Sequence, residues 1–408
     1  MQSEHRPERT AARSDSQAGN EVRSPPKFIP IMPVANNARM NDEMNQGEGK
    51  LYPRAVAGWY ARWRWVMVWV TQLVFYGLPW VQWNARQAVM FDLSANRFYI
   101  FSLALHPQDL IYLAVLMILA ALTLFFFTAV AGRLWCGYAC PQTVYTEIFL
   151  WLERLTEGDR VARMRLDKAR WGAEKIARKG AKQLLWLGLS FVTGFTFVGY
   201  FTPIHELASA LLSLSFSPWE WFWVLFYGLA TYGNAGYLRE QICKQMCPYA
   251  RIQSALTDMD SLVIAYDADR GEARGSRSKA LGPKPQGLGD CIDCTLCVQV
   301  CPTGIDIRNG LQNECIACAA CIDVCDEVMG KMNYPLGLIR YSSGNGMAEK
   351  LTHGQMLKRV WRPRVWVYSA LLLVVAAALV LGLSTRKGFA VDVIKDRGTM
   401  AREMANGD

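Results

Sequence analysis

Charge is scarce in this sequence and histidine scarcer still: of 408 residues, 19% are charged and four are histidine. The shortage is uneven. Five blocks carry no Asp, Glu, Lys or Arg: Trp65–Ala85, Leu110–Gly132, Gln183–Ile204, Trp221–Leu238 and Val365–Thr385, each 18 to 23 residues long. A soluble single-domain protein does not concentrate its apolar residues this way. Other absences narrow the field. The first 50 residues hold no apolar stretch of the kind a cleaved signal peptide needs, and their Ser, Asn, Arg, Glu and Pro content reads as a disordered tail over 1–58. There is no Walker motif, no Cys-x-x-Cys-His and no hydrolase triad signature. Gly344-Asn345-Gly346 lacks the strand and helix a dinucleotide fingerprint requires. Nothing points to a bound nicotinamide or flavin.

What is present reads as an integral membrane protein. Each uncharged block is long enough for a helix to cross the hydrocarbon core. Trp59, Trp63, Trp80, Trp83, Trp219, Trp361 and Trp366 crowd the block ends, as an interfacial aromatic belt does. The fourth block is the shortest and carries Gly228, Gly233, Asn234 and Gly236. The net charge of +9 is distributed by topology: Lys and Arg number ten in residues 1–64, eleven in 133–182 and sixteen in 239–364. The alternate loops hold only Arg86 and Arg97 between them. This positive-inside pattern puts the N-terminus in the cytoplasm and the C-terminus outside, across a plasma membrane. The basic balance therefore calls for a lipid bilayer and not for nucleic acid.

The expected fold is an α-helical membrane protein of about five transmembrane helices with an inserted cytoplasmic domain. The membrane domain runs over 59–264, with spans near 65–85, 110–132, 183–204 and 221–238. Between the second and third spans lies a basic cytoplasmic loop. There, Val161, Met164, Trp171 and Ile176 recur at helical spacing, which suits either a helix on the anionic leaflet or an ordinary solvated helix. A linker follows over 265–290, rich in Gly and Pro steps, then a cysteine-dense module over 291–342. The fifth span covers 365–385 and a short periplasmic tail 386–408.

All twelve cysteines fall into four groups. Two runs, Cys291-x2-Cys294-x2-Cys297-x3-Cys301-Pro302 and Cys315-x2-Cys318-x2-Cys321-x3-Cys325, have the bacterial ferredoxin spacing for [4Fe–4S] clusters, with Asp326 where the second proline would stand. Two-residue gaps wrap three thiolates around one cubane, and the fourth points to the neighbouring one. The expected sets are Cys291, Cys294, Cys297 and Cys325 on the first cluster, and Cys315, Cys318, Cys321 and Cys301 on the second. The domain should therefore be a ferredoxin-like α+β unit. Disulfides are disfavoured on the reducing side of a membrane, and structural zinc favours paired Cys-x2-Cys units.

The remaining cysteines form two matching pairs, Cys136/Cys140-Pro141 and Cys243/Cys247-Pro248, at the inner ends of two spans. On a helix, i and i+4 share a face, so neighbouring helices would build a four-thiolate site for redox or metal chemistry. Soft thiolates suit copper(I), zinc or a further iron–sulfur cluster; buried unliganded thiols are the plain alternative. His106 and His205, at outer ends of spans, are candidates for an external metal ion or a quinol head group, or for hydrogen-bonded structural residues.

With these residues in view, the sequence resembles the cytochrome c oxidase accessory protein family, known as CcoG, FixG or RdxA. The stretches that carry the likeness include LYPRAVAGWYARWR, CGYACPQTVYTEIFLWLERLTEGDR, QICKQMCPYARIQSAL, SLVIAYDADRGEARG and the whole cysteine module, together covering about residues 51–370. The resemblance implies a bacterial inner-membrane protein that assists assembly of a cbb3-type cytochrome c oxidase, with reduction of Cu(II) to Cu(I) as its activity. It implies oxidase assembly components as partners, and its motifs fall on both ferredoxin runs and both Cys-x-x-x-Cys-Pro pairs. Members usually continue past the last span into an outward-facing β-sandwich; this chain stops at Asp408, which leads us to expect a form without that domain.

Three functions follow as expectations: a cupric reductase fed by an unidentified electron donor, an electron relay from a cytoplasmic or quinol donor to another redox protein, and a copper-holding assembly factor with structural clusters.

Overall fold

A computed structural model describes residues 51–84, 86–276 and 286–385. The bulk of the expected disordered tail and the whole of the segment 386–408 lie outside these residues. Helix α1, Trp59–Gly77, begins six residues before the first expected span and ends eight before its close. Pro79 has no N–H to continue the i→i−4 ladder, and the chain leaves through a single 3₁₀ turn, Leu78–Trp80. The start of α1 is fixed from elsewhere. The Asp323 carboxylate accepts from the backbone N–H of Tyr60 (3.2 Å) and Ala61 (2.8 Å), two of the donors a helix start leaves without partners. Between α1 and the next span runs an antiparallel three-stranded meander, β1 Val89–Asp92, β2 Arg97–Ile100 and β3 Leu103–Leu105.

Helix α2, Leu110–Ala131, matches the second expected span within a residue. It is followed by α3, Leu134–Tyr138, α4, Pro141–Glu157, and α5, Arg160–Lys168. The long helix α6, Ala173–Val198, absorbs the second half of the basic loop, so the third span starts earlier than expected and ends at Gly199. The basic stretch is no single surface helix: it breaks between Lys168 and Ala173, and Arg163, Lys175 and Lys182 turn inward while Val161, Trp171 and Ile176 stay exposed.

The fourth expected span divides. Helix α7, Pro218–Thr231, starts at a Ser217/Glu220 capping box and is only 14 residues long. It passes into π-helical turns at Tyr232–Leu238 and Ile242–Met246, with Arg239 at φ +28° between them. Gly233, Asn234 and Gly236 loosen the ladder here, and π turns of this kind concentrate at functional sites. Helices α6 and α7 approach closely because Gly194 and Gly228 leave room: a Cβ on Gly194 would overlap the Val224 carbonyl. After α8, Pro248–Leu256, strand β4, Val263–Tyr266, pairs antiparallel with β5, Ile339–Ser342.

That ribbon corrects the expected linker, which was to begin at residue 265. The strand and the turn Ala268–Gly271 belong to the cysteine module, and Arg270 clasps Asp290 at 2.7 Å. The segment 277–285 lies outside the described residues. The module's core gathers Ile264, Ile307, Ile322, Met329, Leu338 and Ile339 around helix α9, Ala320–Met332. The chain ends its described part in α10, Pro363–Ser384, which packs along α2, with the Tyr112 hydroxyl donating to the Gly382 carbonyl (3.1 Å). Among the described residues α2, α6 and α10 are long and apolar enough to cross a membrane. This is a membrane protein with at least these three candidate spans.

Candidate metal centres

The two ferredoxin runs fold alike. Asp293 and Thr295 flank Cys294 at φ +51° and +56°; Ala317 and Ala319 flank Cys318 at +54° and +59°. Left-handed residues on both sides of the middle cysteine coil each loop tightly, so its three sulfurs converge. Cys291, Cys294 and Cys297 line one small cavity together with Cys325, which reaches it from helix α9. Cys301 lies in the electrostatic field shared by Cys315, Cys318 and Cys321. Cys325 thus lies with the first run and Cys301 near the second, with Cys297 also within reach of Cys321. Burial pushes the Cys297, Cys315 and Cys325 thiols up to about 12, and Cys318 and Cys321 upward too. Thiols raised in this way become stable thiolates only where cationic metal offsets their charge. This donor set fits [4Fe–4S] clusters.

The boundary pairs are built differently from the expectation of one helix face each. Cys136 sits in α3, whereas Cys140 is the residue before α4, at φ −60° and ψ 128°. Cys243 lies in the second π turn, and Cys247 precedes α8 with φ −76° and ψ 111°. In both pairs a proline starts the next helix, where its missing N–H costs nothing, and forces the preceding cysteine into extended backbone. The two constructions nonetheless lie near each other: Cys136, Cys140, Cys243 and Cys247 are within one another's electrostatic reach. Burial drives Cys136 up to about 11 and Cys243 to about 12, with the neighbouring cysteines adding to it.

Around this site the chain is pinned by polar contacts. The Cys136 thiol donates to Gln253 Oε1 (3.4 Å), and Gln142 donates to the Asn234 and Arg239 carbonyls (2.9 and 3.2 Å), tying α4 to the π turns. Arg133 reaches the carbonyls of Asn313, Ala250 (2.8 Å) and Cys315 (3.4 Å), joining both halves to the second ferredoxin run. Cys136 and Cys243 pack against Val300, Ile316, Cys318, Ala320 and Val324. A Cβ on Gly137 would stand 2.7 Å from the Ile316 carbonyl, so the helix bearing Cys136 comes this close only as glycine. Among the described residues no three His, Cys, Asp or Glu side chains are gathered tightly enough for one metal ion. A cubane spreads its thiolates wider than an ion does, because each sulfur bonds a different iron.

Sequence reasoning missed a buried charge cluster behind the site. Glu153 and Glu157, fully buried on α4, meet Arg163 (3.2 Å), Arg239 (2.9 Å) and Lys182 (2.8 Å), with Lys179 also on Glu157 at 3.1 Å. The signal was available: Glu153 and Glu157, two carboxylates four apart on a helix next to a basic stretch. The candidate histidines have other neighbours. The His106 backbone N–H donates to Asp109 at the turn before α2, and His205 packs edge-on against Trp80.

Comparison with known proteins agrees with the cysteine geometry. A family model described as a 4Fe-4S dicluster domain matches residues 238–344, and a second, a 4Fe-4S binding domain, matches 113–157, which contains Cys136 and Cys140. The chain is 38% identical over 395 residues to nitrogen fixation protein FixG of Rhizobium meliloti, covering 89% of this chain and 75% of that one. It is 37% identical to protein RdxA of Cereibacter sphaeroides over 90% of this chain and 79% of the relative. With protein RdxB of the same organism the figures are 40%, 88% and 76%. No solved structure matches. A ferredoxin-type cysteine module, membrane-capable helices and this likeness over nine-tenths of the chain make it a member of the FixG/RdxA family, a membrane-associated 4Fe-4S electron-transfer protein.

Proposed function

We propose that this protein is a membrane-bound iron–sulfur oxidoreductase that delivers electrons to the boundary cysteines, and that the acceptor there is Cu(II), reduced to Cu(I) for assembly of a cbb3-type cytochrome c oxidase. One observation carries the reading: Cys136 and Cys243 pack against the shell of Cys318, so the boundary site and the second ferredoxin set share one core. Bound [4Fe–4S] clusters would supply one-electron steps at potentials set by their surroundings. The chain's own residues do the rest. Cys291, Cys294, Cys297 and Cys325 would hold one cluster, and Cys315, Cys318, Cys321 and Cys301 the other. Cys136, Cys140, Cys243 and Cys247 would receive copper as substrate, and their thiolates favour Cu(I) over Cu(II), adding to the driving force. The charge asymmetry supports a multi-pass topology in the bacterial inner membrane, with N-terminus and cysteines cytoplasmic and C-terminus periplasmic.

The test is an anaerobic one. Protein with intact clusters is reduced, freed of reductant and mixed with Cu(II), while cluster absorbance and chelator-captured Cu(I) are followed together. The reading predicts Cu(I) in step with reoxidation, and loss of Cu(I) with clusters retained in the Cys140→Ser/Cys247→Ser variant. Reoxidation no faster with copper than without it refutes the copper step.

A second reading, an electron relay with a further cluster at the boundary, draws on two observations. The four sulfurs are not gathered for a single ion, and the 4Fe-4S binding model covers 113–157. Iron content separates the two: about eight atoms per chain for two clusters, about twelve for three.

A further inference from the structure

Helices α1, α4 and α6 enclose a cavity of about 860 Å³, open on one side. Trp65, Trp69, Trp151 and Leu189 belong to its largely apolar lining, and Gln72 and Arg154 interrupt it. The rim looks out on apolar surface: Trp69 and Leu73 are 63% and 66% exposed on a helix beside a membrane-capable one. A cavity of this size and character fits a small, largely apolar ligand fixed by a few polar groups.

The two polar residues have something unusual in common. Gln72 Oε1 and Arg154 Nε are both buried and have no hydrogen-bond partner among the described residues. One is an acceptor and the other a donor, and each stands just beneath the lining. The terminal torsion of a Gln amide is soft, so a small swing presents Oε1 to the cavity. An unpaired buried polar atom is costly, and a ligand offering one hydroxyl and one oxygen acceptor to an otherwise greasy slot would satisfy both.

The cavity also lies beside the cysteine module. Trp65 follows Arg64, whose Nη1 donates to the Cys318 carbonyl at 3.3 Å. Glu147, which pairs with Arg154 at 3.9 Å, lies within electrostatic reach of Cys318. Helix α1, which walls the cavity, therefore also touches the second ferredoxin set, and α4 lies near it.

We propose that this cavity is a quinol site: the ring enters from the bilayer between Trp65, Trp69 and Trp151, with one hydroxyl donating to Gln72 Oε1 and the other oxygen accepting from Arg154. Oxidation of a quinol to its quinone releases two electrons and two protons. Two [4Fe–4S] clusters, when bound, are the one-electron oxidants this balance needs. The two protons leave one after the other for water, the one released beside Arg154 by way of the Glu147 carboxylate that pairs with it. The inference rests on the cluster reading of the module and is independent of copper.

The test measures binding directly. Purified protein in detergent is titrated with a short-chain quinone, decylubiquinone, and intrinsic tryptophan quenching is followed, with decanol as the tail-only control. Saturable quenching is expected, lost in Trp65→Phe/Trp69→Phe and weakened about tenfold in Gln72→Leu and in Arg154→Leu. Iron content and elution volume report whether each variant folds. Gln72→Glu and Arg154→Lys serve where a leucine variant does not. Wild-type quenching that fails to saturate, that decanol or phospholipid abolishes equally well, or that folded Gln72 and Arg154 variants leave unchanged overturns the site. Because no copper is present, a negative result here leaves the reductase reading standing, and failure of the copper assay leaves this one standing.

Discussion

Replacing Glu153 with alanine should destabilise the membrane half of the protein more than any surface change. The carboxylate is fully buried and faces Arg163 and Arg239, whose side chains are 1% and 9% exposed. Removing one partner of a buried ion pair leaves uncompensated charge and costs about 3–5 kcal/mol. The losses are partly cushioned here. Arg163 keeps the Pro53 carbonyl (2.6 Å), Arg239 keeps the Ala235 carbonyl (3.3 Å), and Lys182 keeps Glu157. The lower end, about 3 kcal/mol, is therefore expected. At roughly 2–4 °C per kcal/mol for a chain of a few hundred residues, the thermal midpoint should fall by roughly 6–12 °C. Static light scattering on detergent-purified protein reads that midpoint. A double variant, Glu153→Met/Arg239→Met, should lose less than the sum of its singles, because each single strands the other charge. A fall below about 1 °C in Glu153→Ala, or strict additivity in the double, would refute the view that this cluster holds α4 to the π turns.

Three more outcomes follow from close contacts. Gly137→Ala should drive α3 off the Ile316 carbonyl, slowing reoxidation of the reduced protein by copper while the iron content holds; stopped-flow absorbance checks it. Gly194→Val should separate α6 from α7 and lower the thermal midpoint, by an overpacking cost of about 1–3 kcal/mol. Asp323→Ala removes the acceptor for the Tyr60 and Ala61 amides and should destabilise by about 1 kcal/mol, the usual worth of a helix cap, read by the same melting experiment.

The sequence made the metal chemistry legible and much of the local geometry illegible, for definite reasons. Cysteine spacing is a short-range constraint, so the triple-plus-one runs were enough to announce 4Fe-4S chemistry, which the family models match. Uniform hydrophobicity over 22 residues likewise announced α2 and α10 almost to the residue. The Cys-x-x-x-Cys-Pro pairs misled in their form: i and i+4 share a helix face only if one helix runs through both, and Pro141 and Pro248 start new ones. The pairs still lie within electrostatic reach of each other, through long-range packing that spacing alone does not encode. The fourth span read as continuous because it lacks charge, but Gly233 and Gly236 weaken it into π turns. The linker reading failed because Val263–Tyr266 finds its strand partner some seventy residues later, at Ile339–Ser342. A basic loop read as a surface feature hid its purpose, since the matching carboxylates lie on another helix.

The central claim is that the ferredoxin runs hold their clusters with their own eight cysteines, while Cys136, Cys140, Cys243 and Cys247 form a separate site against the second set. Counting iron and acid-labile sulfide in the variant with all four boundary cysteines changed to serine tests it most directly. The account predicts about eight irons per chain in that variant, whether the wild type carries about eight or about twelve. A folded variant with about four would mean that the boundary cysteines ligate one of the two module clusters, and the separation between the sites would be wrong.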